Sequence, residues 1–367
     1  MPWKPPNMKD QTKRRLPKVL GCPADVWEHE TPPNCINCPF AVDGVPIRRP
    51  VRPELPKTRP IGVLVGEGPG NDEHALGQPF VGMTGDELNL QLAENELARS
   101  KLLVVNAMGC MPPQGQRTEV NMRAAATACR PWMLSIIRPK VALGTPTLAM
   151  GKWAGFLVTG KARAIKPRRG FLRHENKRFT PLILTWHPTY ALFRNPWEEA
   201  NFQCDMDRFA RAIRGQLVPL PRAVIKPSLS QIRALWREPF ITVDIETGAR
   251  RSDKPWTGKD PTQAKIKVIG LGTPKVGYAM WWDDQGDDIK AEVRALLRHK
   301  KLLKVFQNGY WFDLRVLRRH GFFIRNIMDT RDMRRALSTT SALSLAYMGS
   351  VYLDVPDWKA KADDGKE

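Results

Sequence analysis

The chain has 367 residues, of which 58 are Lys or Arg and 37 are Asp or Glu, a formal net charge of +21. That length suggests two domains, each able to bury its own core. No run of about 18 apolar residues and no secretory signal pattern occurs, so a membrane protein is not expected and a cytoplasmic one is. The cation excess favours a polyanionic partner, nucleic acid first, because Lys and Arg placed on phosphates release counterions; a basic surface without a dedicated ligand is the plainer alternative.

Residues 1–34 form a basic, Pro-rich extension, and "NCINCPF" then introduces the pair Cys35 and Cys38. From residue 35 to 215 the apolar runs "IGVLVG", "KLLVVN", "KVALG" and "PLILTW" alternate with helical periodicity over 84–98, 119–138 and 196–213. Such alternation predicts an α/β domain with a parallel sheet covered by helices. The Pro-punctuated stretch within 216–235 reads as a linker. From 236 to 367 a second α/β domain is expected, with strands at "PFITVDIET", "IKVIGLG", "VGYAMWW" and "LLKVFQN" and a helix near 289–299.

In parallel-sheet folds ligands sit beyond the carboxyl ends of the strands. Three stretches meet that description: "VGEGPGNDEHALGQPFVG" after the first run, "NAMGC" after the second and "HPTY" after the fourth. The first is Gly-rich but matches neither G-x-G-x-x-G nor a P-loop, and Glu67, Asp72 and Glu73 give it the wrong charge for cradling phosphate. Carboxylates on a stiff turn suit holding a water or facing a developing cation. Phe80 could be core or a stacking face, Asn106 a turn cap, His187 a satisfied core residue. The stretch 160–178, crowded with Lys and Arg, suits phosphate contacts or a solvated loop. Of six cysteines, Cys35 and Cys38 form one knuckle, while Cys110 and Cys129 stand far downstream. Four thiolates can hold zinc or an iron-sulfur cluster, and Cys22 and Cys204 are left over.

The segments "GEGPGNDEHALGQPFVGMTG", "NAMGCMPPQGQRTEV" and "WHPTYALFR" resemble, in order, three signature segments of the family 4 uracil-DNA glycosylases, and with the cysteines the likeness spans about residues 35 to 213. The resemblance implies excision of a uracil flipped out of DNA. On it, Phe80 would stack on the base, Asn106 would bond its N3 and O4 edge, and His187 would donate to O2. Glu67 would hold the attacking water, Glu73 would crowd C5 against thymine's methyl, and Gly68 stands where better-known uracil glycosylases carry an aspartate. Leu192 would wedge into the gap left by the base. The same resemblance makes Cys35, Cys38, Cys110 and Cys129 ligands of a 4Fe-4S cluster. "MPPQGQRTEVN" contains no His, so turnover rather than a covalent product trap is expected.

In the second domain "VDIET" puts Asp244 and Glu246 on one face of a strand, and "QNGYWFDLRVL" adds Asn308 and Asp313. These resemble the first two motifs of the proofreading 3'-5' exonuclease domains of family A DNA polymerases, of RNase H-like fold. Carboxylates so clustered would bind Mg²⁺ or Mn²⁺. No Tyr-x-x-x-Asp follows Asp329 before Glu367, so weak or absent nuclease activity is expected, together with truncation of a longer product continuing into a polymerase, in the manner of phage replication proteins. The principal expectation is a uracil-DNA glycosylase with an appended exonuclease-like domain. The alternative is an exonuclease or polymerase fragment whose front domain only binds uracil or DNA.

Overall fold

The structure, a computed structural model, describes residues 35–195, 198–248, 260–337 and 342–357. The N-terminal extension and Cys22 therefore lie outside the described residues. A small hairpin of β1 (Ala41–Val42) and β2 (Val45–Pro46) precedes the first domain proper. There follow β3 (Gly62–Gly66), α1 (Asn71–Leu76), α2 (Gly82–Glu94), β4 (Leu102–Asn106), α3 (Glu119–Ile137), β5 (Thr145–Met150), α4 (Lys152–Thr159), β6 (Leu172–Arg173), β7 (Phe179–Thr185) and α5 (Glu199–Ile213).

The sheet runs β4-β3-β5-β7-β6, parallel except for β6, which pairs antiparallel with β7. Every residue of β3 and β4 is buried, as expected of strands covered on both faces. Because strand side chains alternate, Val63, Val65, Leu103 and Val105 join α3 and α4 in one core. Leu64, Leu102 and Val104 join α2 and α5 in a second core on the opposite face. The result is an α/β/α sandwich.

One strand expectation is corrected. "KVALG", residues 140–144, is a turn, and the third buried strand begins at Thr145. Gly144 adopts φ +80°, which reverses the chain there. The polar start "TPT" hides the strand in the sequence, yet Thr145 and Thr147 are buried because their hydroxyls donate to the carbonyls of Ala142 and Thr145.

The second domain contains β8 (Arg222–Ile225), α6 (Leu229–Ala234), β9 (Phe240–Gly248), β10 (Lys265–Gly272), β11 (Val276–Trp281), α7 (Asp287–Arg298), β12 (Leu303–Phe306), α8 (Asp313–Arg319), β13 (Ile327–Asp329) and α9 (Thr330–Leu337). Its mixed sheet has the order β13-β12-β9-β10-β11-β8. Strands β9, β10 and β11 form an antiparallel meander, and β12, β13 and β8 join in parallel. Within the Pro-punctuated stretch, residues 222–225 thus extend this sheet, and Ile232 and Leu235 enter its core. The last helix, α10 (Leu345–Tyr352), packs on α5 of the first domain, and Val355 continues onto β6 by accepting from the N–H of Leu172 at 3.0 Å. Among the described residues no helix is long and apolar enough to cross a membrane.

Candidate active site

The parallel strands β4, β3 and β7, with β5 between the last two, end on the same edge of the sheet, and the segments that follow them enclose a cavity of about 440 Å³. Glu67, Gly68, Glu73, Phe80, Asn106 and His187 all line it. Leu192 lies in the π-helical turn Thr189–Arg194, but its side chain is outside the described residues.

Close packing fixes the base of the cavity. A Cβ added at Gly66 would come within 2.3 Å of Asn106 Oδ1 and 2.5 Å of the Phe80 ring, so only glycine lets these two side chains approach. Phe80 itself has φ +51°, and its carbonyl and that of Pro79 accept from the Arg99 guanidinium at 2.9 and 2.6 Å. Arg99 is held in turn by Glu54 at 2.7 Å. The chain here bears a left-handed residue only because its carbonyls are clamped. The His187 ring lies 6.0 Å from the Phe80 ring, nearly parallel at 22°.

The two carboxylates sit in different fields. Burial pushes the Glu67 carboxyl above its ordinary range, against the opposing pull of the Trp153 and Lys152 backbone N–H groups and the Lys152 charge. Glu67 fits only because Gly151, at φ +108°, carries no side chain: a Cβ there would meet the carboxylate at 2.4 Å. Glu73 is also raised by burial, while its Oε2 accepts the Gly70 N–H at 2.8 Å at the start of α1. On the other wall, His187 Nδ1 accepts the N–H of Thr189 at 3.3 Å, and Thr189 shares a hydroxyl contact of 3.1 Å with Thr84. Thr84, Arg117, Met122 and Tyr190 line the cavity without having stood out in the sequence. Thr84, Arg117 and Tyr190 fall inside the three quoted signature segments, the only signal that pointed toward them, and Met122 falls in none.

Residues 54–207 match the family model of the uracil DNA glycosylase superfamily. The first domain is similar to that superfamily over this stretch. A type-4 uracil-DNA glycosylase from Pyrobaculum aerophilum is 29% identical over 195 residues, covering 49% of this chain and 90% of the relative. Another from Thermotoga maritima is 35% identical over 136 residues, covering 35% of this chain and 65% of the relative. Residues 256–364 match a 3'-5' exonuclease family model. Among solved structures, Brucella melitensis NrnC with bound Mg²⁺ is 19% identical, covers 38% of this chain and 64% of its own, and superposes at a TM-score of 0.28, too slight a likeness to build on.

In the glycosylase domain Cys35, Cys110 and Cys129 are buried and Cys38 half-buried. Burial pushes the Cys129 thiol up to about 12, and the neighbouring Cys38 and Cys35 add to the rise. Cys110 is raised further, by burial and then by Cys129, Cys35 and Cys38. The four sulfurs thus lie within electrostatic reach of one another. Among the described residues no group of three or more His, Cys, Asp or Glu is arranged so as to hold a metal ion.

The basic stretch 160–178 departs from expectation. Arg169 and Arg173 are 2% and 5% exposed and paired with Asp205 and with Glu175 and Asp357, and Arg163 also pairs with Glu175. These arginines serve packing, while Lys161, Lys166 and Lys177 are exposed.

In the exonuclease-type domain Asp244 and Glu246 project from the same exposed face of β9. Asp313, at the start of α8, accepts the Ile245 N–H at 3.3 Å and is pushed up to about 6, first by burial and then by the charge of Asp244. Asp329, missed as a structural residue, accepts from the N–H groups of Asn308, Gly309 and Arg331 at 2.9, 2.7 and 2.9 Å. It holds the left-handed turn at Asn308, φ +59°, that delivers Asp313 to β9. The later carboxylates Asp354 and Asp357 are engaged by arginines of the glycosylase domain.

Proposed function

We propose that the glycosylase domain hydrolyses the N-glycosidic bond of deoxyuridine in DNA, releasing uracil and leaving an abasic site. The observation that carries this reading is the convergence of Glu67, Asn106 and His187, from three separate strand ends, on one cavity floored by Phe80. Flipping a base costs a few kcal/mol of stacking and pairing, which contacts inside the cavity must offset. The Phe80 ring offers a stacking face. The Asn106 amide accepts from uracil N3–H and donates to O4, a pairing that an amide satisfies in full. A His187 that accepts at Nδ1 carries its ring proton on Nε2, which would donate to O2 as negative charge collects on the departing base. Glu67 holds the attacking water and faces the cationic sugar. Glu73, fixed by Gly70, excludes a methyl at C5, Gly68 leaves the water open space, and Leu192 fills the vacated stack.

Cys35, Cys38, Cys110 and Cys129, an all-thiol donor set, suit a 4Fe-4S cluster, which would supply a structural tie between the N-terminal segment and α3. In the second domain, the shared field of Asp244, Glu246 and Asp313 supports binding of Mg²⁺ or Mn²⁺ at a DNA 3' end. A DNA polymerase or replication complex is the partner that such a pairing of domains suits.

The test is alkaline strand scission of an end-labelled oligonucleotide carrying one uracil, incubated with the protein in EDTA. Cleavage only at uracil, lost in Asn106→Ala and His187→Ala, is the expected result. An intact strand with cluster-loaded protein would instead make the front domain a binding module.

A further inference from the structure

The second domain reaches back to the glycosylase site. We propose that Tyr347, on α10, is a positioning residue for the segment carrying His187, an inference that rests on the glycosylase reading above. The Tyr347 hydroxyl donates to Asn201 Oδ1 at 3.0 Å, and Asn201 Nδ2 donates to Glu198 Oε2 at 2.6 Å. The same carboxylate oxygen accepts the Trp186 indole N–H at 2.8 Å. Trp186 directly precedes His187, and its ring lies 4.7 Å from that of Tyr190, tilted by 39°, and Tyr190 lines the cavity. Asn201 is buried, so its amide has no solvent to replace a lost partner.

Tyr347 is fixed from several sides. Arg208, itself buried, donates to Asp354 Oδ1 at 3.1 Å and to the carbonyls of Ser350 and Val351 at 2.8 and 3.0 Å, which latches α10 to α5. Arg169 donates to Ser350 Oγ at 3.2 Å and to the Asn201 carbonyl at 3.2 Å. From the exonuclease-type side, the Arg334 guanidinium of α9 lies 5.8 Å over the Tyr347 ring. One tyrosine therefore touches both domains. Its hydroxyl determines how Asn201 presents itself to Glu198, and Glu198 in turn sets the indole beside His187. A hydrogen-bonded chain of this kind orients a reacting group without touching substrate.

The experiment uses the full chain with Tyr347→Phe, which removes only the hydroxyl. The rate of uracil excision from a single-uracil oligonucleotide is measured with the indole N–H resonance of Trp186, assigned by Trp186→Phe. The expected result is a kcat about tenfold lower, the size of one lost orienting hydrogen bond, with KM within about twofold and a shifted Trp186 indole signal. Asn201→Ala should then lower kcat less in the Tyr347→Phe background than in the wild type, because the two act in series. An unmoved indole resonance, an unchanged kcat, or strictly additive losses would each overturn the proposal. A wild-type chain that leaves uracil in place would sink the glycosylase reading instead, and the indole signal would still decide whether the relay reaches Trp186.

Discussion

The backbone N–H of Trp153 donates to Glu67 Oε1 at 3.1 Å, joining two residues 86 positions apart in the chain. The bond pins the carboxylate at the mouth of the sheet, in a space that Gly151 keeps clear. Because burial raises the Glu67 pKa, its charged form appears only at a pH above the ordinary Glu range. Excision should therefore rise with pH through that raised value and then level off. Glu67→Gln should cost about 10²-fold or more in kcat and flatten this limb; single-turnover rates across pH, with DNA saturating, check both.

Gly66→Ala should abolish activity. The added methyl would collide with the Asn106 side chain and the Phe80 ring, displacing from the cavity together the two groups proposed to read and stack the base. A displacement of about 1 Å can cost on the order of 10²-fold in rate. Excision kinetics, with far-ultraviolet circular dichroism to show that the domain still folds, measure this.

Asp354→Ala should loosen α10 from the glycosylase domain, at about 1.5–3 kcal/mol, because Arg208 and Arg211 lose their shared carboxylate while Arg208 keeps Asp205 and the carbonyls of Gly170, Ser350 and Val351. Burial alone would raise the Asp354 pKa, but Arg211, the Val218 N–H and Arg208 outweigh it and hold the carboxyl below its ordinary range. A depressed folded-state value contributes stability that is present above the unfolded pKa and lost as pH falls through the folded one. The domain junction should thus open in acid below the usual carboxylate range. Hydrogen exchange of the α10 amides follows this, and Asp354→Asn should remove its acid dependence.

Purified protein should contain iron and acid-labile sulfide in equal amounts, and Cys110→Ala should lose both together with thermal stability. One zinc per chain with no sulfide would refute the cluster assignment. Elemental analysis and a melting curve decide it.

Asp329→Ala should disorganise the turn at Asn308, since three backbone N–H groups lose one acceptor. Any Mn²⁺ bound by Asp244, Glu246 and Asp313 should then be held more weakly, measurable by calorimetric titration of the full chain.

Much of this was legible without coordinates. Alternation of apolar runs and helical periodicity identified the α/β class, and strand-end placement predicted that the stretches around Glu67, Asn106 and His187 face one crevice, because side-chain direction along a strand is a local property. The carboxylates of β9 were legible for the same reason. Only the tertiary structure showed that the third strand begins at Thr145, since burial of its threonines depends on carbonyl partners that no pattern announces. It alone showed that Arg169 and Arg173 are buried rather than offered to phosphate, because an arginine's fate depends on where carboxylates such as Asp205 and Asp357 arrive from distant segments. The clearest case is Tyr347. In the sequence it is an unremarked residue of the second domain, and its place beside Asn201, 146 positions away, exists only once α10 folds back onto α5.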